Sequence, residues 1–155
     1  MTGFAGGLYY AHTGAAAEYL YLSPNPVFTT LPVVVRYAFM YGAEYDSNAF
    51  GHDNGDDIPC TVCHSRSATS STMIPGTNNC VSGWKTQYKG YLAAGAYNEQ
   101  AASQYICLDA ASETVVNGHD NNNGKLVQPV KAVCGALECP PYDDGKILTC
   151  AVCTK

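Results

Sequence analysis

The chain has 155 residues, room for one domain that buries roughly 70% of its unfolded surface. Asp, Glu, Lys and Arg make up only 14% of it, against about a quarter in ordinary soluble domains, and the formal net charge is −5. No basic run is present, which excludes nucleic acid as an expected partner, and no apolar run approaches the roughly 18 residues of a membrane span.

Twelve Tyr and fifteen Gly set the character of the rest. Tyr has few rotamers to fix and one polar end, so it suits half-buried strands and contact surfaces. Eight Cys is an even number in a short chain, and in an oxidising compartment it predicts up to four disulfides. The opening MTGFAGG has neither a charged n-region nor an apolar h-region, so a secreted protein is expected to be represented here by its mature chain or by that chain with an added start Met.

In chain order, GFAGGLYYAHTGAAAEYLYL (residues 3–22) comes first. Its Ala-rich end, near Ala15 to Leu22, fits a helical turn or two, or a small-residue strand. VVVRYAFMYGAEY is β-branched and aromatic and reads as strand; the apolar patch Leu31 to Val35 before and within it is too short to cross a membrane. GHDNGDDIP (51–59) is a polar loop, and CTVCH follows. WKTQYKGYLAAG (84–95) alternates loosely. A second Ala-rich piece, Ala101 to Leu108, repeats the ambiguity of the first. After the polar loop NGHDNNNG, KLVQPVKAVCG and KILTCAVC are apolar runs of strand length. Asn54-Gly55, Pro75-Gly76, Asn123-Gly124 and Asp144-Gly145 are turn signals between these runs.

The sequence matches itself. AAAEYLYL lies against AASQYICL, which aligns Tyr21 with Cys107. YGAEY (41–45) lies against CGALEC (134–139), and DIPCTVC, ending at Cys63, against ILTCAVC, ending at Cys153. Order is kept throughout, as in a tandem duplication of a unit of roughly 90 residues. The expected fold is mainly β with short helical turns: two pseudo-symmetric repeats, 1–66 and 67–155, in a single disulfide-bonded domain, 1–155. Residues 71–89 have no counterpart in the first repeat. One opening strand is therefore expected to be missing there or to come from another chain.

The duplication also suggests cysteine partners, because a bond lost in one repeat should lose both ends. Cys107 is replaced by Tyr21, and the region of Cys80 has no counterpart, so Cys80–Cys107 is the first expected bond. Tyr41 and Tyr45 stand near the places of Cys134 and Cys139, which makes Cys134–Cys139 the second. Both repeats keep C-x-x-C, as Cys60 and Cys63 and as Cys150 and Cys153. C-x-x-C-H is a haem-attachment pattern, and four such cysteines would suit zinc. A lone C-x-x-C is also a redox pair when a helix N-terminus lowers its thiol pKa. His64, however, is matched by Thr154, and a feature of both repeats calls for something both can do. Structural disulfides are the preferred reading. The sequence leaves local and crossed pairing open; crossing between the repeats, which would tie the halves together, is the expectation.

AHTGAAAEYLYL, YGAEY, IPCTVCHSRSATSSTMIPGTNNCVSGW, YKGYLAAG, AASQYICLD and AVCGALECPPYDDGKILTCAVCTK resemble the C-terminal noncollagenous domain of short-chain, spongin-type collagens and its free-standing invertebrate relatives. That domain is distantly similar to the duplicated noncollagenous domain of type IV collagen. The resemblance runs from about Gly3 to Lys155, and ECPPYDDGKILTCAVCTK is its most specific part. It implies secretion, disulfides, and self-association into a trimer or larger homo-oligomer, with extracellular matrix proteins or glycans as partners. The chain departs from the family in lacking an opening Cys segment and a Cys at Tyr21. It also has no G-X-Y repeat, so it forms no triple helix.

Catalysis is not expected. His12, His52, His64 and His119 show no spacing to a nucleophile or an orienting group. No cofactor is expected either. Calcium is the one ion worth weighing, on Asp53, Asp56 and Asp57, although a solvated turn is the plainer reading of that loop. Tyr9, Tyr10, Tyr19, Tyr37, Tyr41 and Tyr45 are the candidates for a subunit interface or a sugar-stacking face. The function expected is a secreted structural or assembly module, with a secreted lectin as the alternative.

Overall fold

A computed structural model describes residues 1–14, 16–30 and 36–155. Among them run nine strands: β1 (Thr2–Gly7), β2 (Leu20–Leu22), β3 (Tyr41–Tyr45), β4 (Pro59–Thr61), β5 (Ser71–Pro75), β6 (Lys85–Ala94), β7 (Ile106–Asp109), β8 (Lys125–Pro129) and β9 (Thr149–Thr154). The one helical element among the described residues is a 3-10 turn, Asn48–Phe50. The chain is thus mainly β. Both Ala-rich pieces end as strands, β2 and β7, formed by their Leu, Tyr, Ile and Cys residues and by none of their described alanines, where the chain pairs with β1 and β6. Ala15 and the apolar patch 31–35 lie outside the described residues. No described helix is long and apolar enough to cross a membrane.

The chain gathers into two compact units. Unit one holds Met1–Cys63, Gly95–Gln104 and Glu113–Val127; unit two holds His64–Ala94, Tyr105–Ser112 and Gln128–Lys155. The first boundary falls near residue 66, the expected end of the first repeat, but two segments from the range expected for the second belong to unit one.

Unit one is organised on β1. This strand pairs antiparallel with β2, β3 and β4, and β3 runs parallel to the first three residues of β8. Gly3 permits the close approach of β2, since a Cβ there would strike the Leu22 carbonyl. Ala5, Leu8, Ala43, Tyr45, Phe50 and Ile58 form its core. The 3-10 turn delivers Phe50 to that core. Ser47 Oγ accepts the Ala49 N–H at its start, and Gly51 ends it with φ +85°.

Unit two is organised on β6. This strand pairs antiparallel with β7, with β9 and with the end of β8, and β9 also pairs with β5. Gly90 plays the part of Gly3, its missing Cβ leaving room for the Leu108 carbonyl. Leu92, Ala93, Leu108, Ala151 and the sulfurs of Cys150 and Cys153 fill the interior.

The two units use one hydrogen-bonding scheme. Ala5 faces Tyr21 as Leu92 faces Cys107. Gly3 faces Cys60 as Gly90 faces Cys150. Gly7 faces Tyr41 as Ala94 faces Gln128. The Tyr45 N–H donates to Asp56 O, and the Ala132 N–H to Lys146 O. The Gly55 N–H returns to Tyr45 O as the Gly145 N–H returns to Ala132 O, and both glycines have positive φ, +96° and +73°. This register sets Tyr41–Tyr45 against 128–132. The match of YGAEY with CGALEC, made on residue likeness, is therefore displaced by several positions.

The disulfides correct the sequence reading. Cys80 bonds to Cys153, Cys107 to Cys150, and Cys134 to Cys139, all within unit two. The expected Cys80–Cys107 bond does not form. Residues three apart on a strand point to opposite faces. Cys150 therefore reaches β7 on one face, while Cys153 reaches the loop after β5 on the other. With both β9 sulfurs used inside unit two, crossed pairing fails as well, and Cys60 and Cys63 are free thiols.

Candidate functional site

The ring cluster of unit one gathers three of the six candidate tyrosines. The chain leaves β1 at Gly7 and is held where Tyr10 N–H donates to Gly124 O and Ala101 N–H to Tyr10 O. This sets the Tyr9 ring 4.7 Å from Tyr10, 5.0 Å from His12 and 5.2 Å from Tyr41. Phe39 closes the cluster, 6.2 Å from His12 and 6.3 Å from Tyr41, and it is exposed. A hydrogen bond with Tyr10, then burial, holds the Tyr9 phenol above its ordinary range. Phe39 escaped the sequence reading, and His12 was weighed there for catalysis and not as part of a ring cluster. For Phe39 the signal was present, since Phe39 and Tyr41 are two apart in an extended segment and share a face.

Tyr19, Tyr37 and Tyr45 lie elsewhere. Tyr19 donates to Leu126 O at 3.2 Å, its oxygen lies 3.1 Å from Ser103 Oγ, and the Lys125 ammonium sits 5.0 Å from its ring centroid. Burial pushes its phenol up to about 12. Lys125 itself is buried, donates to Ala102 O, and has its pKa lowered by that burial. Tyr45 is a core residue, 1% exposed, stacked on His52 at 4.5 Å, with its hydroxyl on Glu113 O. It therefore lines no surface, contrary to expectation: the side chain opposite Gly55 in the ladder turns inward. Tyr37 is exposed.

The acidic loop folds as a turn. Asp56 Oδ2 accepts the Asp53 N–H at 3.1 Å, and Asp56 Oδ1 lies 3.9 Å from His119 Nδ1. Asp57 is tied by backbone bonds to Gly118 and Val115. Burial, then the Asp120 and Asp56 charges, raises the Asp57 carboxyl. Among the described residues no three His, Cys, Asp or Glu side chains converge to hold a metal ion.

Unit two contains a cavity of about 280 Å³ lined by Ala132, Tyr142, Asp143, Lys146 and Leu148, among others. It lies beside Ala132, where unit one has Tyr45.

The free thiols differ from each other. Cys60 is half-buried and burial, followed by the opposing hydrogen bond from Thr61, leaves its thiol raised. Cys63 is exposed. No protein-family model matches the chain. No solved structure matches it.

Proposed function

We propose that the chain is a secreted, disulfide-stabilised assembly module that self-associates, similar in kind to a noncollagenous collagen domain. The observation that carries this reading is the exposed apolar stretch of unit one. Val27, Phe28, Tyr37, Phe39 and Met40 are all exposed, Val27 at 97% and Phe28 at 85%. Large apolar side chains left in water are what an interaction surface offers to a partner. The three disulfides of unit two fit an oxidising compartment. Light scattering on the purified protein at dilute concentration tests the reading: a defined oligomer is the expected result, and a persistent monomer overturns it. Replacing Phe28 and Phe39 together by Ser should shift the population toward monomer.

A second reading, carbohydrate binding, is favoured by the ring cluster of Tyr9, Tyr10, His12, Phe39 and Tyr41. Aromatic faces stack on the apolar C–H faces of pyranose rings. A glycan array run with and without calcium separates the two functions, because selective binding abolished by Tyr9→Ala would support the lectin.

A further inference from the structure

The two C-x-x-C pairs stand at matching places in matching ladders, yet their surroundings are opposite. In unit two, β9 is covered. β5 pairs along it, with Thr72 opposite Cys153 and Pro75 opposite Cys150, and Cys80, just beyond β5, bonds to Cys153. Cys150 and Cys153 are both 0% exposed. In unit one, β4 pairs with β1, and among the described residues no strand pairs with its other edge. The Met1 and Val62 backbones exchange N–H and C=O, as Tyr88 faces Val152 in unit two, so Cys63 holds the place of Cys153. Here Thr61, Val62 and Cys63 are all exposed.

We infer that the open edge of β4, with the Cys63 thiol, accepts an extended, cysteine-bearing segment of a partner chain, which lies beside β4 as β5 lies beside β9 and becomes bonded to Cys63. The inference rests on the assembly reading and adds the kind of partner. Unit two displays the occupant: a short strand of Thr and apolar residues, then a polar turn, then a cysteine, as in STMIPGTNNC (71–80). An unpaired strand edge is a template for such addition. The bond forms by thiol–disulfide exchange. The Cys63 sulfur gives up its proton and attacks one sulfur of a disulfide that the partner's cysteine already carries. The new S–S bond forms as the old one breaks, and the departing thiolate takes up the proton, so no further oxidant is consumed. Cys60 is not the acceptor. Tyr21 occupies the place of Cys107, the bonding partner in unit two, and its ring sits 2.7 Å from where a Gly3 Cβ would stand. That leaves Cys60 half-covered beside Gly3, as a small apolar residue.

The test uses the whole protein and a synthetic peptide of residues 71–80 whose cysteine is a mixed disulfide with glutathione. Mass spectrometry should find the peptide on Cys63, formed at least about tenfold faster than with a scrambled peptide of the same composition, because strand addition raises the local sulfur concentration. Cys60→Ser should keep the adduct and Cys63→Ser should lose it, with the three disulfides of unit two intact in both peptide maps. Equal rates for the scrambled peptide, an adduct on Cys60, or a Cys63–Cys63 dimer as the main product would each overturn the inference. Light scattering on the same samples separates the outcomes: an oligomer that assembles with no preference for the peptide defeats this inference and leaves the assembly reading standing.

Discussion

Tyr45 and Ala132 occupy the same hydrogen-bonded place in the two units, and their difference in size decides what stands beside them. Tyr45 fills its space with a ring stacked on His52 at 4.5 Å, whereas Ala132 borders a cavity of about 280 Å³. Tyr45→Ala should leave a void where the ring was in unit one and cost about 3–5 kcal/mol, the usual range for deleting a buried ring. Tyr45→Phe should cost about 1 kcal/mol, the worth of the lost hydrogen bond to Glu113 O. Urea unfolding of both variants, followed by tyrosine fluorescence, separates the packing contribution from the polar one.

A non-reducing peptide map should return Cys80–Cys153, Cys107–Cys150 and Cys134–Cys139, with two free thiols, of which Cys63 alkylates faster than Cys60. The bonds should differ in weight. Cys80–Cys153 and Cys107–Cys150 span 73 and 43 residues and should each contribute about 4 kcal/mol by chain entropy, whereas Cys134–Cys139 spans 5 and should contribute about 2 kcal/mol. Paired Cys→Ser variants, unfolded in urea, check that order.

Gly90→Ala should destabilise unit two by at least about 3 kcal/mol, the upper end of overpacking costs, because the new Cβ meets the Leu108 backbone carbonyl and backbone has no rotamer to change. Gly42→Ala is the control. Its Cβ would meet nothing within 4 Å, and its effect should stay within about 0.5 kcal/mol. Melting temperatures of the two variants make the comparison.

Acidity should stabilise the fold. Glu44 is buried and accepts the N–H groups of Asn123 and Gly124 at 3.1 Å. Burial raises its carboxyl above the ordinary 4.5, and those bonds only partly offset the rise. Asp57 and Glu99 shift upward too, each chiefly through burial. A carboxyl with a raised folded pKa binds its proton more tightly in the folded chain. Stability therefore falls as pH rises from 4.5 through the folded value, and returns on acidification through the same window. Glu44→Gln keeps one acceptor oxygen and should flatten that part of the profile while costing about 1 kcal/mol for the lost acceptor. Urea unfolding of the native and variant proteins across this window is the measurement; an unfolding free energy that climbs with pH would contradict the assignment.

Much of the fold is legible in short-range pattern. Runs such as KILTCAVC, which follows the Asp144-Gly145 turn, and WKTQYKGYLAAG predict strands; β6 lies within the second and β9 covers the end of the first. The Ala-rich pieces were ambiguous because small residues suit both a helix and a strand that another backbone approaches closely, as β2 approaches β1 at Gly3. Of the candidate site, Tyr9, Tyr10 and Tyr41 were found by residue type. Tyr45 was found too, but its inward direction depends on which face of β3 meets the core, and nothing local reports that.

The residues by themselves determined the β character of the chain and the supply of sulfur, since strand preference and composition are local properties. Only the tertiary structure decided which sulfurs meet and which are left over. A one-residue change of register turns every side chain to the other face, and that register is set by partners far along the chain. Thus Cys150 and Cys153, on a strand paired on both sides by β5 and β6, are bonded and buried, while Cys60 and Cys63, in the same four-residue pattern, remain thiols.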